Sequence, residues 1–342
     1  MHGNSTNSAN YQANFSTTSS VSSTRVPRNL AIIVITFLAT CVLLGAFGNV
    51  RVCVLFRRRR DRLRNVQHYF LGSLALTGVL SSLINAPSVI VMTVVNYFQI
   101  RELSVADSFC RVGFPSGFAV NVLNALTLWL MAIDRQDCVL RPFKRRLTTS
   151  NVKKIIPVIW MLALVTAILF HVAIRNELSV CVKFFPYDTY LAERSRSVFT
   201  LALIVAQLDN ITVLIIVVTF FRIMKKLRSS AVNPSLNSTS QRQEKALTSL
   251  TFKIGGVFLL CRVPVKIYLL VSRAGGFQET TIKSTYLVSI ALIHLMYVAN
   301  PFIHRKVLKL RSPNQEGGAV RQAVEPGEIM NRGRENSIPH QR

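Results

Sequence analysis

Charge is what this chain has least of. Charged residues make up 16% of its 342 positions, against roughly 25% in an ordinary soluble domain, and that deficit excludes a typical cytosolic protein. Acids are the scarcer sign: 15 Asp+Glu stand against 41 Lys+Arg, for a net charge of +26. Cysteine is also rare, with six in the whole chain, which excludes a small scaffold built on disulfides. Glycine, at 15 residues, falls far short of the collagen repeat. What the chain has in abundance is apolar surface: 50% of its residues belong to the AVILMFWYC set, too many for a disordered polypeptide. A positive excess alone would suggest nucleic-acid binding. Here the cations lie between long apolar runs, so no nucleic-acid partner is expected. The segregation reads as a membrane protein whose first partner is the lipid bilayer.

A hydrocarbon core about 30 Å thick is crossed by about 20 apolar helical residues. Seven runs reach that length. Residues 29–50 carry no charge, and the apolar character continues to Phe56 past Arg51. Residues 69–100, 112–133 and 155–174 are charge-free, and 197–221 is interrupted only by Asp209. Residues 254–272 carry Arg262 and Lys266, which makes this run the weakest, and 284–303 completes the set. The expected fold is an all-α membrane protein, a seven-transmembrane helix bundle.

Loop charge gives the orientation. Segments 57–64, 135–154, 222–253 and 305–342 hold 28 Lys+Arg, whereas 1–28, 99–111, 175–196 and 273–283 hold 10. Cationic loops stay cytoplasmic, so the N-terminus is expected outside and the C-terminus inside the plasma membrane. Residues 1–28 contain 15 Ser, Thr or Asn and no apolar core of a cleavable signal peptide. The first span is then expected to act as an uncleaved signal-anchor. Asn4-Ser5-Thr6 and Asn14-Phe15-Ser16 would face outward as glycosylation acceptors at Asn4 and Asn14. The expected division is an extracellular tail over 1–28, a seven-helix domain with its juxtamembrane segment over 29–311, and a disordered cytoplasmic tail over 312–342.

Several positions carry more specific information. Asp134-Arg135-Gln136 stands at the inner end of the third run, and Asn300-Pro301-Phe302-Ile303-His304 at the inner end of the seventh. The sixth contains Phe258-Leu259-Leu260-Cys261-Arg262-Val263-Pro264, the fourth Trp160, the first Gly48-Asn49-Val50, and the second Ser73-Leu74-Ala75-Leu76. In this order the set resembles the rhodopsin-like (class A) G-protein-coupled receptors, as a diverged member, over about residues 29–311. Cys110 precedes Arg135 by 25 residues, about 37 Å of helix, the interval that family shows between its outer disulfide cysteine and its inner arginine.

The resemblance implies a receptor that passes an extracellular ligand signal to a heterotrimeric G protein by outward movement of the sixth helix. It implies a Cys110–Cys181 bond and a short amphipathic helix on the inner leaflet from Arg305 to Leu310. The coupling and switch residues it implies are Asp134, Arg135, Glu244, Asn300, Pro301, His304, Phe258 and Pro264, with Glu244 as the acid latched to Arg135. An arrestin-type regulator is a further partner the family admits. The departures matter too. The family's sodium-binding acid aligns with Gly78, its sixth-helix Trp with Arg262, its seventh-helix Tyr with His304, and its fifth-helix Pro near Thr212. Its amine-anchoring acid falls at Gly117 and its retinal lysine at His294, which argue against an aminergic receptor and a photopigment.

Ligand-pocket candidates are Gly117, Phe118, Asn121, Asp209, Arg262, Lys266 and His294. Asn121 and Asn124 share a face and serve either a ligand or interhelical bonding. Arg262 and Lys266 are four apart, on one helical face, and Asp209 is the only acid deep in a span. Counted from Ser197 and Ser272, Asp209 and Arg262 lie about 18 and 15 Å deep, and Lys266 about 9 Å. A lone charge at such depth costs at least ~2.5–3.5 kcal/mol, so Asp209–Arg262 is the expected pair, with Lys266 the spare cation; the alternative is that Arg262 faces a water-filled cavity unpaired. The surplus positive charge suggests a pocket receptive to an anionic group. No nucleophile–base set, phosphate-cradling loop or metal cluster is evident, so no enzyme, cofactor or metal site is expected. The alternatives to a signalling receptor are a membrane transporter or channel, for which no internal repeat is found, and a non-signalling decoy receptor.

Overall fold

The structure, a computed structural model of the chain, describes residues 27–58, 66–98, 103–141, 145–175, 196–230, 239–274 and 279–309. The regular elements among the described residues are all helical. They are α1 (Arg28–Arg58), α2 (Val66–Leu80), a π-helical turn (Ser81–Asn85), α3 (Ala86–Phe98), α4 (Leu103–Leu140), α5 (Thr149–Arg175), α6 (Arg196–Ser230), α7 (Thr239–Ala274) and α8 (Glu279–Lys309). Among the described residues, seven segments are long and apolar enough to cross a membrane, with α2, the π turn and α3 forming the second. The chain is a multi-pass membrane protein.

Helices are the only open-ended structures that satisfy their backbone in hydrocarbon. Hydroxyls obey the same constraint locally: Thr40, Thr77, Thr93 and Thr212 each donate to the carbonyl four residues back at 2.7–2.9 Å. Sidedness follows from what each face meets. On α5, Ile159, Ala163, Phe170 and Ile174 are buried against neighbours, while Met161, Leu164, Val165 and Ile168 point outward, toward the acyl chains. The axis of the bundle is α4, which packs on α2, α3, α5, α6 and α7. Across the molecule α1 lies against α8, so closely that a Cβ on Gly48 would sit 2.7 Å from the Pro301 ring. The Trp160 indole donates to Ser73 Oγ at 3.2 Å, tying α5 to α2.

The π turn has a local cause. Pro87, second in α3, lacks an N–H, and its ring crowds the carbonyl four residues back. The wider turn relieves this, with the Ala86 N–H bonded to Ser81 O. The extra residue brings Asn85 to the bundle interior, against Gly117 and His294. At the other end of the chain, α8 runs unbroken to Lys309. The separate amphipathic helix expected from Arg305 is therefore not set apart from the seventh span, and no Gly or Pro between Phe302 and Lys309 is there to end the helix.

Candidate functional site

The deepest concentration of charge lies among α4, α6 and α7. A cavity of about 110 Å³ is lined by Phe118 and Asn121 from α4, by Ala202, Val205, Ala206 and Asp209 from α6, and by Arg262, Val265 and Lys266 from α7. The sequence puts Asp209 and Lys266 on inward faces of their helices, and here they meet: Lys266 Nζ is 2.8 Å from Asp209 Oδ2. Arg262, only 7% exposed, donates instead through Nη2 to Asn121 Oδ1 and lies 5.7 Å from the centre of the Phe258 ring, within cation–π range. The expected Asp209–Arg262 pair is thus corrected to Asp209–Lys266. Counting depth along each helix treats a side chain as a point, whereas the four-carbon lysine stem carries its ammonium more than a turn along the helix. Lys266 uses that reach toward the acid rather than the interface, and Arg262 faces α4.

Two further pocket candidates belong to a neighbouring group. His294, 5% exposed, donates through Nδ1 to the Ile290 carbonyl at 2.9 Å and faces the Asn85 amide through Nε2 at 3.3 Å. Gly117 makes room for that amide, since a Cβ there would be 2.6 Å from Asn85 Nδ2. Neither residue lines the charged cavity. Below this level the interior is polar but uncharged. Asn124 Nδ2 donates to the Tyr297 hydroxyl at 2.5 Å, and Asn49 Nδ2 to the carbonyls of Gly45 and Tyr297 at 2.8 and 2.9 Å. Both α4 asparagines singled out in the sequence therefore make interhelical bonds, and one of them also borders the cavity. Asn49 fills the ground beside Gly78, where an added Cβ would be 2.5 Å from its Nδ2. An acid side chain has no room there.

At the inner end, Asp134 and Arg135 are 2% and 3% exposed, joined by contacts of 2.5 Å from Nη2 and 3.0 Å from Nε to Asp134 Oδ2. Gln67 Nε2 from α2 reaches the same carboxylate oxygen at 3.4 Å and Thr251 Oγ1 of α7 at 3.3 Å. One amide thus bridges three helices. One turn on, Asp137 is 2% exposed and holds the following segment through Arg146 Nη2 at 3.1 Å and the Arg146 N–H at 3.3 Å. Phe258 is fully buried, Asn300 is 1% exposed, and Pro301 abuts Gly48. Pro264 lies within α7. Glu244 and His304 lie on α7 and α8, but their side chains are outside the described residues, as are Asn4, Asn14 and Cys181. Cys110 is buried on α4, and Cys41, Cys53, Cys138 and Cys261 form no disulfide.

Sequence reasoning passed over Gln67, Thr251, Asn85 and the Asp137–Arg146 pair. Gln67 borders a basic loop and reads as a solvated residue, and Asn85 is re-aimed by a π turn that only Pro87 foreshadows. Asp137 did carry a signal, being an acid one turn beyond Asp134 in a chain with few acids. Among the described residues no group of three or more His, Cys, Asp or Glu side chains is placed to hold a metal ion.

Comparison with known proteins places this arrangement. Residues 48–304 match the model of the 7 transmembrane receptor (rhodopsin family). Neuropeptide FF receptor 1 of Rattus norvegicus is 25% identical over 287 residues, covering 77% of this chain and 64% of that protein. The RYamide receptor of Drosophila melanogaster is 23% identical over 231 residues, covering 64% of this chain and 48% of that protein. The chain therefore spans about half to two thirds of the length of these relatives. From Gly48, which meets Pro301, to the Asn300-Pro301 turn of α8, the match encloses both the charged cavity and the buried Asp134–Arg135 pair: the chain belongs to the rhodopsin family of seven-transmembrane receptors.

Proposed function

We propose that the chain is a G-protein-coupled receptor of the plasma membrane, with its N-terminus extracellular and its C-terminus cytoplasmic. An extracellular ligand binds at the cavity bordered by Asp209, Arg262 and Lys266, α7 moves outward at its inner end, and a heterotrimeric G protein enters beside Arg135. The observation that carries this reading is the inner cluster. A buried arginine on the axial helix is held by its own neighbour Asp134, and a single amide links that acid to α7. Such a contact exists only while α7 stays in, so it favours one of two states, which is the physical requirement for a switch. The Arg135–Glu244 latch, the Cys110–Cys181 bond, glycosylation at Asn4 and Asn14, and an arrestin-type regulator belong to the same proposal. The names of the two relatives, neuropeptide FF and RYamide receptors, support a peptide as one class of ligand. Membership of a receptor family disfavours the transporter or channel reading.

The test needs no ligand. The full chain is expressed beside an Arg135→Ala control, and basal nucleotide exchange on a panel of G proteins is measured at matched surface expression. Exchange above background that falls in the control is expected. Equal exchange in both, or silence in both at good surface expression, overturns the signalling reading, the latter in favour of a decoy.

A further inference from the structure

The charges of the α4–α6–α7 cavity do not balance. Asp209 is paired through Oδ2 with Lys266 at 2.8 Å, and Arg262 forms no ion pair among the described residues. Its described partners are the neutral Asn121 carboxamide and the face of Phe258. Its Nε, buried, has no hydrogen-bond partner among the described residues. A guanidinium that is 93% buried in a membrane-spanning bundle with only neutral partners is costly. It also has five donors set in a rigid fork that matches a carboxylate. The cavity it borders, about 110 Å³, far exceeds the ~10–15 Å³ that one water requires. Its remaining walls include the apolar Phe118, Val205 and Val265. Phe118 is held rigid by stacking on Phe170, with ring centres 3.9 Å apart.

We propose that this cavity is a subsite for a carboxylate borne on a short apolar body, with Arg262 taking the anion and Phe118, Val205 and Val265 the apolar part. The proposal deepens the receptor reading, on which it rests for its consequence in signalling but not for binding itself. Arg262 meets the anion through Nε and the fork beside it, drawing the guanidinium off Asn121 while the Phe258 ring continues to back it. Lys266, already paired, partly neutralises the Asp209 charge on the same cavity wall. The carboxylate has two sources of one chemistry: a small amphiphilic acid, or the free C-terminus of a peptide.

The experiment uses the purified full chain in nanodiscs and follows its unfolding midpoint over a concentration series of four probes. These are 3-phenylpropionate and 3-phenylpropionamide, then N-acetylphenylalanine and its primary amide. An acid is expected to bind about 10- to 100-fold more tightly than its neutral amide, the range for a hydrogen bond to a charged partner. Arg262→Gln should abolish that preference, Arg262→Lys should keep part of it, and Asp209→Asn should tighten acid binding by removing the like charge. A response to 3-phenylpropionate alone assigns the small acid, and a response to N-acetylphenylalanine alone assigns the peptide terminus. Equal shifts from acid and amide, no shift from either acid, an acid preference that survives Arg262→Gln, or weaker acid binding in Asp209→Asn overturns the proposal. Should Arg262→Gln fail to fold, the acid–amide comparison and the Arg262→Lys and Asp209→Asn variants decide alone. The assay contains no G protein, so loss of acid preference with intact basal exchange sinks only this subsite. Acid binding without basal exchange sinks only the signalling reading.

Discussion

The Asp209–Lys266 pair makes an asymmetric prediction. At 2.8 Å, and with an effective dielectric constant near 20, the gross attraction is about 6 kcal/mol, much of it cancelled by desolvation. The two side chains are not equally placed. That of Asp209 is 3% exposed and that of Lys266 26%. Replacing Asp209 by Ala leaves a lysine that turns its long stem toward the interface, for a loss of about 1–2 kcal/mol. Replacing Lys266 by Leu strands a carboxylate whose Oδ1 already has no hydrogen-bond partner among the described residues, for about 3–5 kcal/mol. The double replacement should be milder than the Lys266 change alone, because no charge is then left behind. Reversing the pair, Asp209→Lys with Lys266→Asp, should recover most of the loss. Reversing across the wrong cation, Asp209→Arg with Arg262→Asp, should recover little, since Arg262 points to Asn121. Surface display and the unfolding midpoint of the purified variants measure all five. If the losses from Asp209→Ala and Lys266→Leu simply add, or if the Arg262 reversal rescues better than the Lys266 reversal, the pairing described here is refuted.

Three further outcomes are expected. Gln67→Leu and Thr251→Val each remove the link between Asp134 and α7, whose two contacts are 3.4 and 3.3 Å, and should raise basal exchange about three- to tenfold at equal expression, corresponding to about 1 kcal/mol of lost resting-state bias; unchanged basal exchange in both counts against the bridge. Gly78→Asp forces its Cβ onto Asn49, so surface expression should fall and the remaining protein should show no sodium dependence of its unfolding midpoint. Cys110→Ala and Cys181→Ala should each lower surface expression strongly and the double change no further, whereas additive losses speak against a shared bond.

How much was legible beforehand depended on whether a property belongs to one helix or to two. Seven spans are a matter of length and composition along one segment, and each overlaps the apolar run expected for it, the largest shifts falling at the inner ends of the third and sixth. The weakest, around Arg262 and Lys266, is the one whose charges face the interior. Motif residues such as Gly48, Asn49 and Pro301 were legible through the family resemblance, and Gly48 stands where an added Cβ would meet the Pro301 ring. Partner choice was not. Asp209 had two cations on one face of α7 to choose between, and depth counting favoured the wrong one because it ignores the reach of a side chain. Asn85 was invisible for a similar reason: a π turn shifts every following residue on the second span by about 100°, which no periodicity in a charge-free run reveals. Gln67 was passed over because a glutamine beside basic residues looks solvated, and its burial is imposed by α4 and α7 together.

The sixth span is where these points converge. Along one helix, α7 places Lys266 and Arg262 at the cavity, Phe258 beneath the guanidinium, and Thr251 at the bridge to Asp134. Yet its contact with α6, its neighbour on the cavity side, is slight compared with its packing on α8. A helix anchored along α8, and held on α4 and α6 by lighter packing such as the Phe220–Phe252 stack together with a few polar contacts, moves most readily in the direction those weaker contacts resist. A ligand biases such a helix only by interacting differently with its two positions. An anion on Arg262 meets that condition, since it competes with Asn121 of α4 for the same guanidinium and so loosens α7 from the axial helix. Asn121→Ala therefore separates anion binding from its consequence. With the competing carboxamide removed, an acid should bind Arg262 at least as tightly but lose most of its effect on G-protein exchange. An acid response in Asn121→Ala equal to that of the unaltered chain would show that the α4–α7 contact plays no part.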